Sequence, residues 1–129
     1  MRALLILLAG LLIGALVAFS AANSLHQRNA WPRGVMNTLQ HHLGELRRLQ
    51  RSNDCAAARS AVHFRRLAET AADIAPSHPD QPPDFAEQAR RFVETSGRHA
   101  AEAPVDCRAL DQALQQTGEA CQACHRDYR

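Results

Sequence analysis

Four stretches of the chain repeat apolar side chains at intervals of three and four residues, and this pattern limits the fold more than any other feature of the sequence. Such intervals place the apolar side chains on one face of an α-helix. The predicted helices cover residues 32–51, 53–75, 84–102 and 105 to the end. Because short connections join helices of comparable length, neighbouring helices are expected to be antiparallel. We therefore predict an all-α chain whose main part is an antiparallel up-down-up-down four-helix bundle.

The residues between the predicted helices support these boundaries. Pro32 suits the first turn of the first helix, where a backbone N–H is not needed. Residues 52–54, Ser-Asn-Asp, offer an N-cap for the second helix. Four prolines between residues 76 and 83 predict a stiff loop that contains no helix. Turn-forming residues thus separate the four helical segments.

The charged residues give no reason to expect a nucleic acid partner. The basic residues number 15 and all are arginines, against 13 acidic residues, for a net charge of +2. The arginines are spread over every segment of the chain. Binding to nucleic acid is typical of clustered positive charge, which this distribution lacks.

The first 22 residues form an apolar N-terminal segment. Arg2 precedes an unbroken apolar run over residues 3–19, and small residues follow at 20–22. The run is intermediate between a signal-peptide core and a membrane-spanning helix, and its length favours an uncleaved anchor. Residues 23–30 are polar and lack helical periodicity, so we expect a tether between this signal peptide or anchor and a domain at 31–129. The domain would then lie on the periplasmic side of the bacterial cytoplasmic membrane.

The sequence Cys121-Gln122-Ala123-Cys124-His125 carries the chemistry of the chain. Two thiols three residues apart on a helix lie on one face, which suits thioether bonds to the two vinyl groups of one haem. His125 follows directly and is placed to ligate the iron. We therefore predict one haem c, bound covalently through Cys121 and Cys124, with His125 as proximal ligand.

Three other roles for this motif compete with haem binding. A thioredoxin-type redox pair is typical of a βαβ context, which a helical chain does not offer. A zinc site needs further ligands at a recognisable spacing, and the neighbouring sequence has none. A disulfide between Cys121 and Cys124 is sterically unfavourable within a regular helix. An exported thiol-disulfide oxidoreductase stays open as an alternative function.

Residues 118–129 read Gly-Glu-Ala-Cys-Gln-Ala-Cys-His-Arg-Asp-Tyr-Arg. This ending resembles the C-terminus of cytochromes c prime and of their low-spin, methionine-ligated class II relatives, and residues 33–44 resemble the first helix of that family. The resemblance implies a four-helix bundle with haem near one end, used for electron transfer or for binding small gases. Many relatives dimerise through their first two helices, so a homodimer stays open here.

The predicted topology brings Met36 towards His125. In an up-down-up-down bundle the start of the first helix and the end of the fourth lie at the same end. If the Met36 thioether binds iron, the haem is six-coordinate and low-spin, as in electron-carrying cytochromes. If Met36 only packs over the ring, the iron is five-coordinate and open to NO or CO. The resemblance allows both, since the matching family position holds either a ligating methionine or a non-ligating apolar residue.

Three arginines are candidates for contacts with the haem or for balancing its charge. Members of the family often carry arginine one helical turn before the distal position, where this chain has Pro32. Arg33, beside it, could instead pair with a haem propionate, because a guanidinium suits a carboxylate. Arg126 and Arg129 follow the ligand closely and could moderate the buried charge. Simple solvation is the competing interpretation for each of them.

The remaining cysteines occur at the starts of the second and fourth predicted helices. The bundle places these starts together at the end opposite the haem, so we predict a disulfide between Cys55 and Cys107, which an oxidising compartment permits. Two separately buried thiols are the alternative. The other histidines, at 41, 42, 63, 78 and 99, share no spacing typical of a second metal site, and His26 lies in the tether.

These observations predict a mono-haem c-type cytochrome that exchanges electrons with redox partner proteins and is not an enzyme. The first alternative is a high-spin protein that binds NO or CO. The second is the exported thiol-disulfide oxidoreductase that uses Cys121 and Cys124 as its redox pair.

Overall fold

A computed structural model of the chain describes residues 2–28 and 30–128. The helices are α1 (Arg2–Arg28), α2 (Ala30–Arg51), α3 (Ala57–Ala71), α4 (Ile74–Ser77), α5 (Pro83–Ala101) and α6 (Cys107–Tyr128). The residues described contain helices and turns but no strand, so the prediction of an all-α chain is confirmed. The chain divides into two compact units, Met1–Arg33 and Gly34–Arg129, and each is described by itself.

The N-terminal unit is dominated by α1. Its large apolar side chains are exposed, and within the described part of the chain α1 alone is long and apolar enough to cross a membrane. A signal sequence near an N-terminus meets the same criterion. Residues 23–28, which belong to the predicted tether and lack helical periodicity, continue α1. Extending an existing helix adds one hydrogen bond for each residue fixed, so a polar stretch without periodicity of its own can still be helical.

The second unit is the predicted four-helix bundle, formed by α2, α3, α5 and α6 with the short α4 between α3 and α5. The start of α2, the end of α3, the start of α5 and the end of α6 surround one cavity. Cys55 precedes α3, Cys107 begins α6, and these two residues meet. Both observations require neighbouring helices to run in opposite directions, which is the up-down-up-down arrangement.

The core consists of apolar side chains that recur at helical spacing on the four helices of the bundle, α2, α3, α5 and α6. The least exposed of the large side chains are Phe64, Leu46, Leu67 and Leu110. The buried face of α3 places the large Phe64 and Leu67 between the small Ser60 and Ala71, whereas that of α5 alternates large and small residues, Phe85, Ala89, Phe92 and Ser96. Small residues on both faces let α3 and α5 approach each other closely. These small side chains interdigitate with the phenylalanine rings.

The helix predicted over residues 53–75 is shorter and is broken. It begins at Ala57 and ends at Ala71, and Ala72 and Asp73 form a turn before α4. The stretch with four prolines also differs from its prediction, because Pro76 lies within α4. Pro76 is the third residue of that helix, where its missing N–H would have no helical partner in any case.

The predicted N-cap at residues 52–54 is wrong, because these residues close α2 instead. Asn53 adopts a positive φ of 56°, a conformation that asparagine tolerates better than most residues. The N–H of Asp54 bonds to the carbonyl of Leu49 at 2.9 Å, and that of Asn53 to Gln50 at 3.2 Å. This pair of bonds is the Schellman motif, which satisfies carbonyls left over at a helix C-terminus.

Candidate functional site

A cavity of about 300 Å³ lies at one end of the four-helix unit. Its wall is mostly apolar and includes Leu39, Leu43, Leu67, Ile74, Ala89 and Phe92. Ligand sites in proteins are typically concave and apolar with a small number of polar groups. The polar and sulfur-bearing side chains of this wall therefore identify its chemistry.

The end of α6 supplies three of these side chains, Cys121, Cys124 and His125. Both cysteines are half-buried thiols in the structure, and His125 is exposed while still lining the cavity. The two cysteines are three positions apart on a continuous helix, so their side chains lie on the same face. The structure thus brings together at one cavity the three residues that the sequence motif singled out.

Met36 faces the same cavity from the first turns of α2. Its side chain is half-buried and packs against the core. The sequence predicted that the start of the first helix and the end of the fourth meet, and the structure places Met36 and His125 on one cavity wall. A thioether, an imidazole and two thiols therefore share one apolar enclosure.

Burial controls the protonation of the two thiols. It raises the pKa of Cys121, and the positive charge of Arg47 opposes this effect in part. Burial likewise raises the pKa of Cys124, and the negative charge of Asp127 adds to the rise. Both residues are therefore held as neutral thiols at physiological pH, with little thiolate to act as a nucleophile.

Sequence reasoning missed the polar side chains of the wall, Arg47, Gln40 and Gln88. Arg47 is exposed and brings a positive charge to the cavity. The spacing 36, 40, 43 and 47 places Arg47 on the same face of α2 as Met36, so helical periodicity could have found it. Arg47 is thus an additional candidate for pairing with an anionic group.

The arginines that the sequence did single out are not all at the cavity. Arg33 is exposed and belongs to the N-terminal unit. Arg126 is exposed and pairs with the neighbouring Asp127 at 3.4 Å. Arg129 lies outside the described residues. The proposed haem contacts of Arg33 and Arg129 therefore remain predictions.

Tyr128 anchors the last turn of α6, which carries His125. Its ring meets the ring of Phe85 edge to face, with centroids 5.2 Å apart. Hydrogen bonding with Asp84 is the main reason that the pKa of Tyr128 rises to about 12. Both partners belong to the start of α5, so the C-terminal turn is tied to a second helix.

The other two cysteines lie far from the cavity. The structure pairs Cys55 with Cys107, with their Cα atoms 5.1 Å apart, a separation that a disulfide spans without backbone distortion. Cys107 precedes Cys121 by 14 positions on α6, which corresponds to about 21 Å along the helix axis. The disulfide that we predicted would therefore act at the opposite end of the bundle.

The donor set of the cavity fits a covalently bound haem. Thioether bonds need two thiols on one side, axial ligation needs an imidazole, and a second axial position accepts a methionine thioether. Cys121, Cys124, His125 and Met36 supply these groups around an apolar wall. An iron porphyrin also carries two propionates, for which Arg47 offers a positive charge at the cavity.

Comparison with known proteins agrees with this chemistry. The sequence profile of the family described as cytochrome C' matches residues 33–129, which is the whole four-helix unit and most of the chain. Searches of curated proteins and of solved structures gave no match. The match begins just before Met36 and includes the entire motif at the end of α6. The chain therefore belongs to the cytochrome C' family of c-type haem proteins, which transfer electrons or bind small gases.

Proposed function

We propose that this chain is a mono-haem c-type cytochrome that carries electrons on the periplasmic side of the cytoplasmic membrane. The observation that supports this most is the convergence of Cys121, Cys124 and His125 on α6 with Met36 on α2 around one apolar cavity. It acts as a carrier that exchanges electrons with partner proteins, and not as an enzyme. When bound, haem c supplies a one-electron iron couple.

Each residue of the site has a defined task. Cys121 and Cys124 would hold the porphyrin edge through two thioether bonds, which would keep the group in place in a domain too small to enclose it. His125 would supply an imidazole nitrogen as a ligand to the iron. The apolar wall, with Leu39, Leu43 and Phe92, limits the access of water to the redox centre. A dry environment and the charges near it set the reduction potential.

Met36 decides between electron transfer and gas binding. A methionine thioether on the distal side would raise the potential and close the sixth coordination position, as suits an electron carrier. The second candidate function is binding of NO or CO at a five-coordinate iron. Its support is that Met36 is half-buried and that methionine is flexible, so the side chain can lie against the wall without binding.

The thiol oxidoreductase is less well supported by the structure. Such enzymes depend on a thiolate of lowered pKa. Here burial raises the pKa of both Cys121 and Cys124. The pair also lies within a continuous helix, where closing a disulfide between them is sterically unfavourable.

The N-terminal unit supports a location outside the cytoplasm. The apolar helix α1 meets the length and composition that crossing a membrane needs. As an anchor it would tether the bundle to the periplasmic surface, and as a signal peptide it would be removed and release a soluble domain. The mass of the mature protein distinguishes the two.

Absorption spectra of the ferric and ferrous protein, matured in a host competent for haem attachment, test the proposal. We expect a covalent haem spectrum, a mass increment for one haem, and a far-red thioether-to-iron band that is lost in Met36→Ala. Prompt binding of CO by the unmodified protein would favour the gas-binding function. Colourless protein with no mass increment would refute haem attachment altogether.

A further inference from the structure

We propose that His42 on α2 and His63 on α3 form a binding site for a divalent transition metal ion of the Zn²⁺ or Cu²⁺ class. The two residues are 21 positions apart in sequence, yet their Nδ1 atoms lie 3.2 Å from each other. Their ring centroids are 5.4 Å apart. Spacing along the chain does not pair them, and neither residue lines the cavity, so the site is independent of the proposed haem.

The distance between the two nitrogens matches that of two ligands on one metal ion. Two imidazole nitrogens, each about 2.05 Å from a tetrahedral ion, lie roughly 3.3 Å apart. The observed 3.2 Å therefore needs almost no movement of either helix. Without an ion, one Nδ1 must carry a proton and donate it to the other, because two facing lone pairs repel. When a metal cation binds, that proton moves through solvent to the Nε2 atom of the same ring, so both imidazoles stay neutral and both Nδ1 lone pairs bind the ion.

The surroundings of the pair suit exchange of an ion with solvent. Both side chains are half-buried, so they are held in place by the bundle while staying accessible. Burial lowers the pKa of His42 and of His63, which keeps the imidazoles in the neutral form that binds metals. The lowered pKa values support the proposed site, whereas the main argument for the site is the distance between the two Nδ1 atoms.

Some charges near the two histidines favour the binding of a cation, and others oppose it. Glu45 contributes negative charge and forms an ion pair with Arg48, with Nη2 and Oε2 2.6 Å apart. Arg48 lowers the pKa of His63 through its positive charge, and Arg66 does the same for His42. These arginines oppose a divalent cation, so affinity comes from the two nitrogen bonds and not from long-range attraction.

The ligand set also indicates which ion binds. Among residues 2–28 and 30–128, no three His, Cys, Asp or Glu side chains converge on one metal position. Water would therefore complete the coordination of an ion held by two imidazoles. Imidazole nitrogen prefers zinc, copper and nickel, whereas magnesium prefers oxygen ligands.

Isothermal titration of the full-length, haem-loaded protein with ZnCl₂ at pH 7.5 tests the site, because thioether bonds to haem remove Cys121 and Cys124 as competing zinc ligands. We expect one Zn²⁺ bound for each chain, no heat with MgCl₂, and affinity weakened by about tenfold or more in His42→Ala and in His63→Ala, since each loses one of two ligands. His41→Ala is the matched control, because His41 is exposed and adjacent on α2, with its ring centroid 5.1 Å from that of His42, yet among the described residues no third His, Cys, Asp or Glu joins a metal position. It should bind as the unmodified protein does.

A second measurement guards against variants that fold poorly. Zn²⁺ that binds only the folded state raises the melting temperature, and this rise should vanish in His63→Gln while helical circular dichroism is unchanged. Equal Zn²⁺ affinity in all variants would overturn the site. Equal weakening by His41→Ala would overturn it too, because binding would then not depend on the 3.2 Å pair.

Discussion

The two ends of the four-helix unit are held together by different means. At the end where α3 and α6 begin, Cys55 meets Cys107, and the Asn53 turn closes α2. Asp106 caps α6 there by accepting a hydrogen bond from the Ala109 N–H at 2.8 Å. These contacts join groups within the chain.

The opposite end encloses a cavity of about 300 Å³ instead of a packed core. Of the side chains that line it, Met36, Cys121 and Cys124 are half-buried and His125 is exposed. Natural protein interiors rarely leave such a volume unless something fills it. The difference shows that one end is stabilised by the sequence alone, whereas the other is built to be completed by a bound group.

Two double variants, each with one cysteine pair replaced by serine, should show the largest difference between the two ends of the bundle, a difference in haem content. Cys121→Ser with Cys124→Ser should abolish covalent haem completely, because no thiol is left to form a thioether. Cys55→Ser with Cys107→Ser should keep the full haem content. Haem staining after denaturing electrophoresis measures both. Haem stain retained after substitution of Cys121 and Cys124 would contradict their role in haem attachment. Stain lost after substitution of Cys55 and Cys107, in a protein that stays folded, would contradict a purely structural role for that pair.

The disulfide end should dominate the free energy of unfolding. A bond that closes the 52-residue separation between Cys55 and Cys107 restricts the unfolded chain by about 4 kcal/mol in the chain-entropy view. We expect Cys55→Ser with Cys107→Ser to lose about 2–4 kcal/mol in denaturant unfolding followed by circular dichroism. A reductant should lower the stability of the unmodified protein to the same level. No response to reductant would mean that the bond does not form.

Tyr128→Ala should loosen the cavity end while leaving the other end unchanged. The edge-to-face contact with Phe85 is worth about 0.5–1.5 kcal/mol, and its loss should speed amide hydrogen exchange in the last turn of α6 by severalfold. Exchange near Cys107 should not change. Tyr128→Phe keeps the ring and serves as control. Equal acceleration at both ends of α6 would argue against a local role.

His99 should give the smallest effect, a pH dependence of stability. Burial lowers its pKa, its Nε2 has no hydrogen-bond partner among residues 2–28 and 30–128, and its ring centroid lies 5.1 Å from that of Phe64. Because the unfolded chain binds this proton more readily, stability should fall as pH drops below about 6.5, the usual histidine value.

His99→Phe removes that titrating group and keeps a ring beside Phe64. Its melting temperature should therefore decline less between pH 7 and pH 5 than that of the unmodified protein, by a few degrees. His26→Ala, at an exposed position of α1, is the control and should retain the full decline. An unchanged pH profile in His99→Phe would show that other groups carry the dependence.

Helical periodicity predicted the bundle because each long helix needs an apolar face to join the core. It also predicted that Met36 and the α6 motif lie at the same end, since topology alone decides which helix ends meet. The break at Ala72 and Asp73 was missed because both residues are compatible with helix, so no local signal marks it. The positive φ of Asn53 was missed because a short polar stretch suits an N-cap and a C-terminal turn equally.

Contacts between side chains of different helices were the least predictable. The pairing of His42 with His63 depends on how α2 and α3 are rotated about their own axes, which spacing along either helix does not reveal. Arg47 is a different case, because it lies on the same face of α2 as Met36 and its role at the cavity could have been found by periodicity. Sequence patterns thus predict which helix ends lie together. They are less informative about which side chains of different helices are in contact.

The partial burial of Cys121 and Cys124 has a consequence for the order of biosynthetic events. Once α6 has docked, both sulfurs are half-buried and protonated, and a modifying enzyme would have to reach them at the cavity wall between neighbouring helices. Covalent attachment of a prosthetic group is therefore easiest on a nascent or newly translocated chain, before the C-terminal segment settles against its neighbours. Premature folding would compete with maturation, and variants that fold faster would be expected to leave more of the protein permanently colourless.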